Sequence, residues 1–400
     1  MSSSPAATVE RLGPSFDLLA AYGPPSGHLF VRRGIGVGGG AAAVSLEGGA
    51  PSAVVDALKA LTGDVSPVAV GALPFDPEAA VRLDVARIAA VRRDEDVTWR
   101  IDVGGTDDLA PFGRVVGAPP HDAFAAVQVR PHPTPDVYVD AVRRAATAIG
   151  EGDLRKVVLA RTIGVEAGRT LDPRRLAARL RAVDPDAYVF AAPTDHGVIV
   201  GASPELLVSR RGREVRSNPL AGSAPRAGDP EEDRELARAL ESSSKDREEH
   251  AVVVEAVAEV LGPFCDELRF DPEPVLLETA NVWHLSTRFH GVLREPAPSS
   301  LELVRALHPT PAVGGTPREA ALRLLDTLEP FDRGRYAGPV GWMDAEGDGD
   351  WAIALRCAEL RGDRATSYAG AGIVADSDPS AELAETDRKF RAFLDALRWS

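Results

Sequence analysis

The chain has 400 residues, of which 44% are hydrophobic, enough to bury a large core as two or three domains or as one large α/β or α+β unit. Its formal net charge of −15 offers no basic field to draw in a polyanion. That argues against nucleic acid as a partner while leaving small anionic ligands open, because these respond to local charge. Cys265 and Cys357, the only two cysteines, exclude a disulfide framework and a cysteine-rich metal site. Met1-Ser2-Ser3-Ser4-Pro5 lacks the basic start and apolar stretch of a signal peptide, and no run approaches transmembrane length. The expectation is a cytoplasmic protein of a reducing compartment, with neither nucleic acid nor membrane as partner.

Residues up to about Arg130 are rich in Gly, Ala, Pro and Val, carry little chemistry and show no internal repeat. His28–Arg32 reads as a strand, and Gly34-Ile35-Gly36-Val37-Gly38-Gly39 after it matches G-x-G-x-x-G. A dinucleotide fingerprint needs a helix opening from the last glycine. Only Gly40–Leu46 follows before Gly48-Gly49 breaks the chain, so a glycine-rich turn between strands is the better reading. Thr134-Pro135 then opens a helix, hydroxyl as cap, with Tyr138, Val142, Ala145 and Ile149 as its stripe and Gly150 as its end. Asp172-Pro173 opens a second, with Leu176, Leu180 and Val183 on one face. Ser244–His250 begins a third, with Val253, Val254, Val257 and Leu261 buried. Thr316-Pro317 opens a fourth carrying Ala321, Leu324 and Leu328, and Asp378-Pro379 a last one running to about Leu397.

Between the helices lie extended runs: 157–162, 189–192, 197–202, 206–210, 282–293, 338–343, 351–360 and 366–374. Asp344–Asp350 and Arg361–Arg364 read as hairpin turns, which predicts an antiparallel meander for the last three runs. Helices are sparse between strands, so the fold class expected is α+β with a large antiparallel or mixed sheet.

Lys156 opens one apolar strand and Glu205 closes another, and charged groups in such surroundings cost desolvation energy unless paired or used. The plainer alternative is a half-exposed lysine and a strand-end carboxylate. Glu249 lies four residues before Val253 and faces the buried side of its helix, whereas Glu248 lies off it. Glu382, Glu385 and Lys389 share a face of the last helix. Carboxylates from two helices suit Mg²⁺, which takes one or two of them plus waters and substrate oxygens. A solvated charged face explains the same spacing. Ala369-Gly370-Ala371-Gly372-Ile373, with the helix start near Asp378, offers unobstructed backbone N–H groups for a carboxylate; a glycine-kinked strand is the alternative.

Eight segments together carry a resemblance: Lys156–Arg161, Gly201–Leu207, Pro219–Ser223, Ser244–His250, Trp283–Thr287, Leu307–Gly315, Glu329–Trp342 and Ala369–Lys389. From about Asp136 to the C-terminus the chain resembles the chorismate-utilising enzymes, the anthranilate synthase component I-like family, and within it the isochorismate synthases most. The resemblance implies one large two-sheet α+β chorismate-binding domain with flanking helices over residues 1–400, in which 1–130 match only loosely and 131–400 form the motif-bearing core. It implies Lys156 as general base, Glu205 as general acid, and Glu249, Glu382 and Glu385 as magnesium ligands. It places Gly222, Ser223, His284, Ala312, Arg356, Tyr368, Gly370, Gly372 and Lys389 against the substrate. Arg335 departs from the bulky residue associated with its position, which touches local packing alone.

The implied reaction adds a hydroxyl at C2 of chorismate and expels the one at C4. It needs a base with a lowered pKa and an acid with a raised one, and burial pushes lysine and glutamate in those directions. Ala221 stands where aminodeoxychorismate synthases usually carry a nucleophilic lysine, which leaves room for water. The Thr310-Pro311-Ala312 segment differs from the anthranilate synthase pattern, and no glutamine amidotransferase partner is expected. The expected state is a monomer or weak dimer. Salicylate synthase, which goes on to eliminate pyruvate, is the nearest alternative; a non-catalytic chorismate-binding protein is the alternative of another class. Siderophore and menaquinone pathways both remain open.

Overall fold

The computed structural model describes residues 7–48, 50–61, 65–94, 96–103 and 128–398. Met1–Pro5 and Gly49, on which two of the expectations above bear, lie outside them. Among the described residues the strands form two large sheets and one small one, and every pairing is antiparallel. The larger sheet has twelve strands. Its order runs Ala7–Leu12, Thr98–Val103, Ile88–Arg92, Ile35–Gly39, His28–Arg32, Tyr188–Pro193, Val198–Ser203, Cys357–Arg361, Arg364–Ile373, Lys156–Glu166 and Gly315–Thr316. Gln128–His132 pairs beside the end of Lys156–Glu166. The second sheet has nine strands. It runs Cys265–Phe270, Phe289–Leu293, Glu214–Asn218, Leu206–Arg211, Gly349–Ile353, Pro339–Asp344, Val68–Ala72, Arg82–Ala86 and Ala42–Glu47. Leu220–Pro225, Val282–Ser286 and Val275–Glu278 make the small sheet.

Side chains alternate across the larger sheet as the two-residue period of a strand requires. Tyr188, Phe190 and Ala192 join the core that also holds Val208, Met343 and Trp351 of the nine-stranded sheet. Val189 and Ala191 turn the other way, to meet Leu176 and Leu180 of helix Pro173–Val183 and Phe390 and Phe393 of helix Pro379–Arg398. The α+β expectation holds, and both faces of the larger sheet are covered. No described helix is long and apolar enough to cross a membrane.

The first hundred residues complete both sheets. Phe30 pairs with Phe190 in one and Val70 with Trp342 in the other. The glycine-rich run is a turn at Arg33-Gly34 followed by a strand, Ile35–Gly39, paired to His28–Arg32. Gly38 is needed there because a Cβ would stand 2.0 Å from the carbonyl oxygen of Leu18.

Five local expectations are corrected. The Thr134 hydroxyl makes no cap bond, and its helix passes Gly150 to end at Glu151. Val183 leaves the buried face of its helix and is 37% exposed. Thr316 pairs with Lys156 in a two-residue strand, so the following helix begins at Arg318 and buries Leu325 rather than Leu324. The terminal meander does not form: 351–360 is two strands, Gly349–Ile353 and Cys357–Arg361, in different sheets. The run 282–293 divides likewise, into Val282–Ser286 and Phe289–Leu293.

Candidate active site

The divisions in those strands make the cavity. Val198–Ser203 belongs to the twelve-stranded sheet and Leu206–Arg211 to the nine-stranded one, with Pro204-Glu205 as the crossing between them. Gly349–Ile353 and Cys357–Arg361 cross the opposite way through Ala354-Leu355-Arg356. The two crossings are bonded to each other: Ile353 N–H donates to the Glu205 carbonyl at 3.1 Å and Ala202 N–H to the Arg356 carbonyl at 3.3 Å. Arg356 bends there with φ +49°, a left-handed conformation that a non-glycine residue holds only when its surroundings over-determine it. Beside them the Leu220–Pro225 strand bulges at Gly222, φ +72°, which brings Ser223 opposite His284. Where the strands part they leave a cavity of about 900 Å³ including its mouth.

The facing wall combines strand and helix. Lys156 Nζ lies 2.8 Å from Glu249 Oε1, so the amine at the head of the Lys156–Glu166 strand is held by a carboxylate from helix Ser244–Leu261. Gly372 lies against this pair: a Cβ there would stand 2.4 Å from Glu249 Oε1 and 3.0 Å from Lys156 Cε. On the last helix Lys389 Nζ bonds Glu385 Oε1 at 2.5 Å and the Gly370 carbonyl at 2.7 Å. Lys245 Nζ lies 3.7 Å from Glu382 Oε1. The glycine segment is a strand, paired with Lys156–Glu166. Val158 N–H is spent on the Gly314 carbonyl and Ala160 N–H on Glu329, so their partners Gly372 and Gly370 turn their backbone groups away from that strand. Asp378 does not line the cavity; its carboxylate caps its own helix at Ala381 N–H, 2.7 Å away.

The charges divide by their surroundings. Burial pushes the Glu205 carboxyl up to about 7, against the opposing pull of the Leu220 amide and then of Lys156, Arg356 and Lys389. Burial also holds His284 well below the usual imidazole range, helped by the positive charges of Arg356 and Lys389. The neutral ring accepts from Arg356 Nη2 at Nε2, 3.2 Å, and donates from Nδ1 to the Gly222 carbonyl, 3.3 Å. Burial would raise Glu385, but Lys389, together with Arg388 and Arg356, more than offsets it and the carboxyl is held low. Glu382 is pushed up to about 7 by burial and then by the charge of Glu385.

Every residue expected at the site lines this one cavity: Lys156, Glu205, Gly222, Ser223, Glu249, His284, Ala312, Arg356, Tyr368, Gly370, Gly372, Glu382, Glu385 and Lys389. Ala221 lines it as well. Val158, Lys245, Asp246, Tyr336 and Leu355 also face it and were not singled out. Lys245, Asp246 and Tyr336 sit inside the segments that carried the family resemblance, so their signal was present. Tyr336 stacks on Tyr368, ring centroids 5.0 Å apart. Lys156 is paired, with Glu249, as a charge in such buried surroundings requires unless it is used.

Among the described residues no three His, Cys, Asp or Glu side chains converge into a closed metal cage. The donor chemistry of Glu249, Glu382 and Glu385 nevertheless fits a hard cation: all three offer oxygens to the cavity, and Glu382 is raised partly by the negative charge around it.

A family model described as chorismate binding enzyme matches residues 116–398. Isochorismate synthase DhbC of Bacillus subtilis is 41% identical over 343 residues, covering 84% of this chain and 82% of that one. Isochorismate synthase EntC of Escherichia coli K12 is 38% identical over 336 residues, covering 84% and 82%. The crystal structure of DhbC from Bacillus anthracis superposes with a TM-score of 0.84 at 39% identity, over 96% of this chain and 99% of that one. The chain belongs to the chorismate-binding enzyme family. Within that family, the two curated relatives just described are both isochorismate synthases.

Proposed function

We propose that this chain converts chorismate to isochorismate, with Glu205 as general acid and Lys156 as general base. The observation that carries the reading is the placement of Glu205: a buried carboxyl, pushed up to about 7, that faces the same cavity as the buried amine of Lys156. An acid that keeps its proton near neutrality is what departure of the C4 hydroxyl needs. Lys156 takes a proton from water as the water oxygen bonds to C2. Both ring double bonds shift, the C4–O bond breaks, and Glu205 gives its proton to the departing hydroxyl. One water enters and one leaves, so the net change is an isomerisation.

Arg356 and Lys389 supply positive charge for the two carboxylates of the substrate, and neutral His284 orients Arg356 through their 3.2 Å contact. Ala221, Gly222 and Ser223 keep one side of the cavity short of bulk, which leaves room for the attacking water. Glu249, Glu382 and Glu385 would hold Mg²⁺, which neutralises the ring carboxylate when bound. Water as nucleophile requires no ammonia-supplying subunit, and we take residues 1–400 as one catalytic domain because strands from the first hundred residues complete both sheets.

Incubation with chorismate and Mg²⁺, followed by chromatographic and mass-spectrometric product analysis, tests this. Isochorismate without pyruvate is the expected outcome. Salicylate with equimolar pyruvate would replace the reading by salicylate synthase, and no consumption of chorismate would overturn it.

A further inference from the structure

The Lys156–Glu166 strand is paired along its whole length on one side by Arg364–Ile373. On the other side Gly315–Thr316 covers only Lys156 and Val157, and Gln128–His132 covers only Thr162 to Glu166. Between them the edge is completed by side chains and a loop. Val158 N–H donates to the Gly314 carbonyl at 2.9 Å. Ala160 N–H donates to Glu329 Oε1 at 2.7 Å, and Arg333 Nη2 donates to the Val158 carbonyl at 2.6 Å. Glu329 and Arg333 are themselves joined as a two-pronged ion pair, Nε to Oε2 at 2.8 Å and Nη2 to Oε1 at 2.6 Å. Their side chains are only 6% and 3% exposed. A buried pair of this kind contributes little net stability unless its remaining hydrogen-bonding capacity is met, and here the backbone meets it.

The pair reaches beyond the strand. Arg333 Nη1 donates to the Val313 carbonyl at 2.8 Å, beside Ala312, and the guanidinium lies 4.3 Å from the ring centroid of Phe75 and 5.9 Å from that of Tyr336. Val158, Ala312, Val313 and Tyr336 all line the cavity. One buried fork thus ties the strand headed by Lys156 to the Ala312-Val313 wall and to the ring that stacks on Tyr368.

We propose that Glu329 and Arg333 are positioning residues: their ion pair stands in for a missing stretch of strand and sets the Lys156 amine against the opposite wall of the cavity. This rests on the reading of Lys156 as the base. Lysine at 333 keeps the charge but is a point donor, unable to serve Glu329, Val158 and Val313 together in a fixed plane. Misplacement of a reacting group by about 1 Å costs on the order of 10²-fold in rate.

The test compares Arg333→Lys and Glu329→Gln with Arg210→Lys, whose guanidinium is 9% exposed and pairs with the half-buried Asp348 away from the cavity. Thermal unfolding and steady-state kinetics on chorismate with Mg²⁺ are measured for each, at a temperature where the variant is folded. Expected are a fall in kcat of about tenfold or more with KM within about threefold for the clamp variants, and no fall in kcat for Arg210→Lys. Should Arg333→Lys fail to fold, Glu329→Gln carries the comparison. The proposal is overturned if the folded clamp variants keep kcat within about twofold, or if Arg210→Lys loses as much. Failure of the parent enzyme to make isochorismate would instead remove the base assignment on which the proposal rests.

Discussion

The wall built from the sheet crossings holds its ionisable groups deep in the fold, and among the described residues neither Glu205 nor Arg356 forms an ion pair. The wall that includes the helices holds its carboxylates against amines: Glu249 to Lys156, Glu385 to Lys389, Glu382 near Lys245. Burial without a contacting counter-charge keeps the Glu205 carboxyl protonated, which suits a proton donor. Glu385, touched by Lys389, is held low, which suits a cation ligand, while Glu382, farther from its amine, is raised to about 7 by burial and by Glu385. One cavity thus presents raised carboxyls from both walls, Glu205 at a crossing and Glu382 on a helix, and a lowered one, Glu385, where an amine touches it.

The hardest test of this division falls on the proton carriers. Lys156→Ala and Glu205→Gln are each expected to lower kcat on the order of 10²-fold or more, while binding of chorismate, followed by calorimetry, stays near the parent value. Normal turnover in Glu205→Gln would leave the crossing wall without its assigned role, and in Lys156→Ala would leave the facing wall without its base. Gly372→Ala comes next. The new methyl group would overlap Glu249 Oε1, the end of a flexible side chain that can move aside, so kcat should drop about tenfold as the Lys156–Glu249 pair is displaced, with little cost in stability. Unchanged kinetics in a folded Gly372→Ala protein would mean that the pair does not need this glycine.

On the helix wall, Glu249→Ala and Glu385→Ala should raise the Mg²⁺ concentration for half-maximal activity about tenfold or more, since each change deletes a hard ligand and a charge. Titration calorimetry with and without chorismate reads this directly; parent-like magnesium binding in both variants would refute the assignment. The pH profile gives the smallest effect. Glu205 must hold its proton to act, so kcat should decline about tenfold per pH unit above about 7, the value to which burial pushes it. Stability follows the same sign. The folded-state value lies above the ordinary 4.5, so the contribution of Glu205 is fully present below that value and is lost as pH rises through about 7. Glu205→Gln should flatten the stability curve between about pH 4.5 and about pH 7, and a curve as steep there as the parent's would assign the slope elsewhere.

Much of the site was legible because its residues sit at fixed offsets inside short motifs, so Lys156, Glu205 and the glutamates could be named without coordinates. The crossings were not. Gly349–Ile353 and Cys357–Arg361 read as one run because every residue from Trp351 to Ala354 is buried, and nothing in hydropathy marks a change of sheet. The only local sign is the backbone of Arg356, and sequence does not display a positive φ. Residues before Arg130 looked empty for the opposite reason: their chemistry is packing, with Val70 and Phe30 filling positions set by distant strands. Lys245 and Tyr336 were passed over because each stands within its motif among residues of more obvious chemistry.

The bonded crossings also bear on how the molecule comes apart. A ribbon that runs continuously through both large sheets, hydrogen-bonded on each side of the passage, leaves neither sheet an independent route to unfolding. Denaturant should therefore melt the chain as one cooperative unit. Catalysis and global structure should disappear at the same denaturant concentration, and the amide protons of Ala202 and Ile353 should be among the last to exchange.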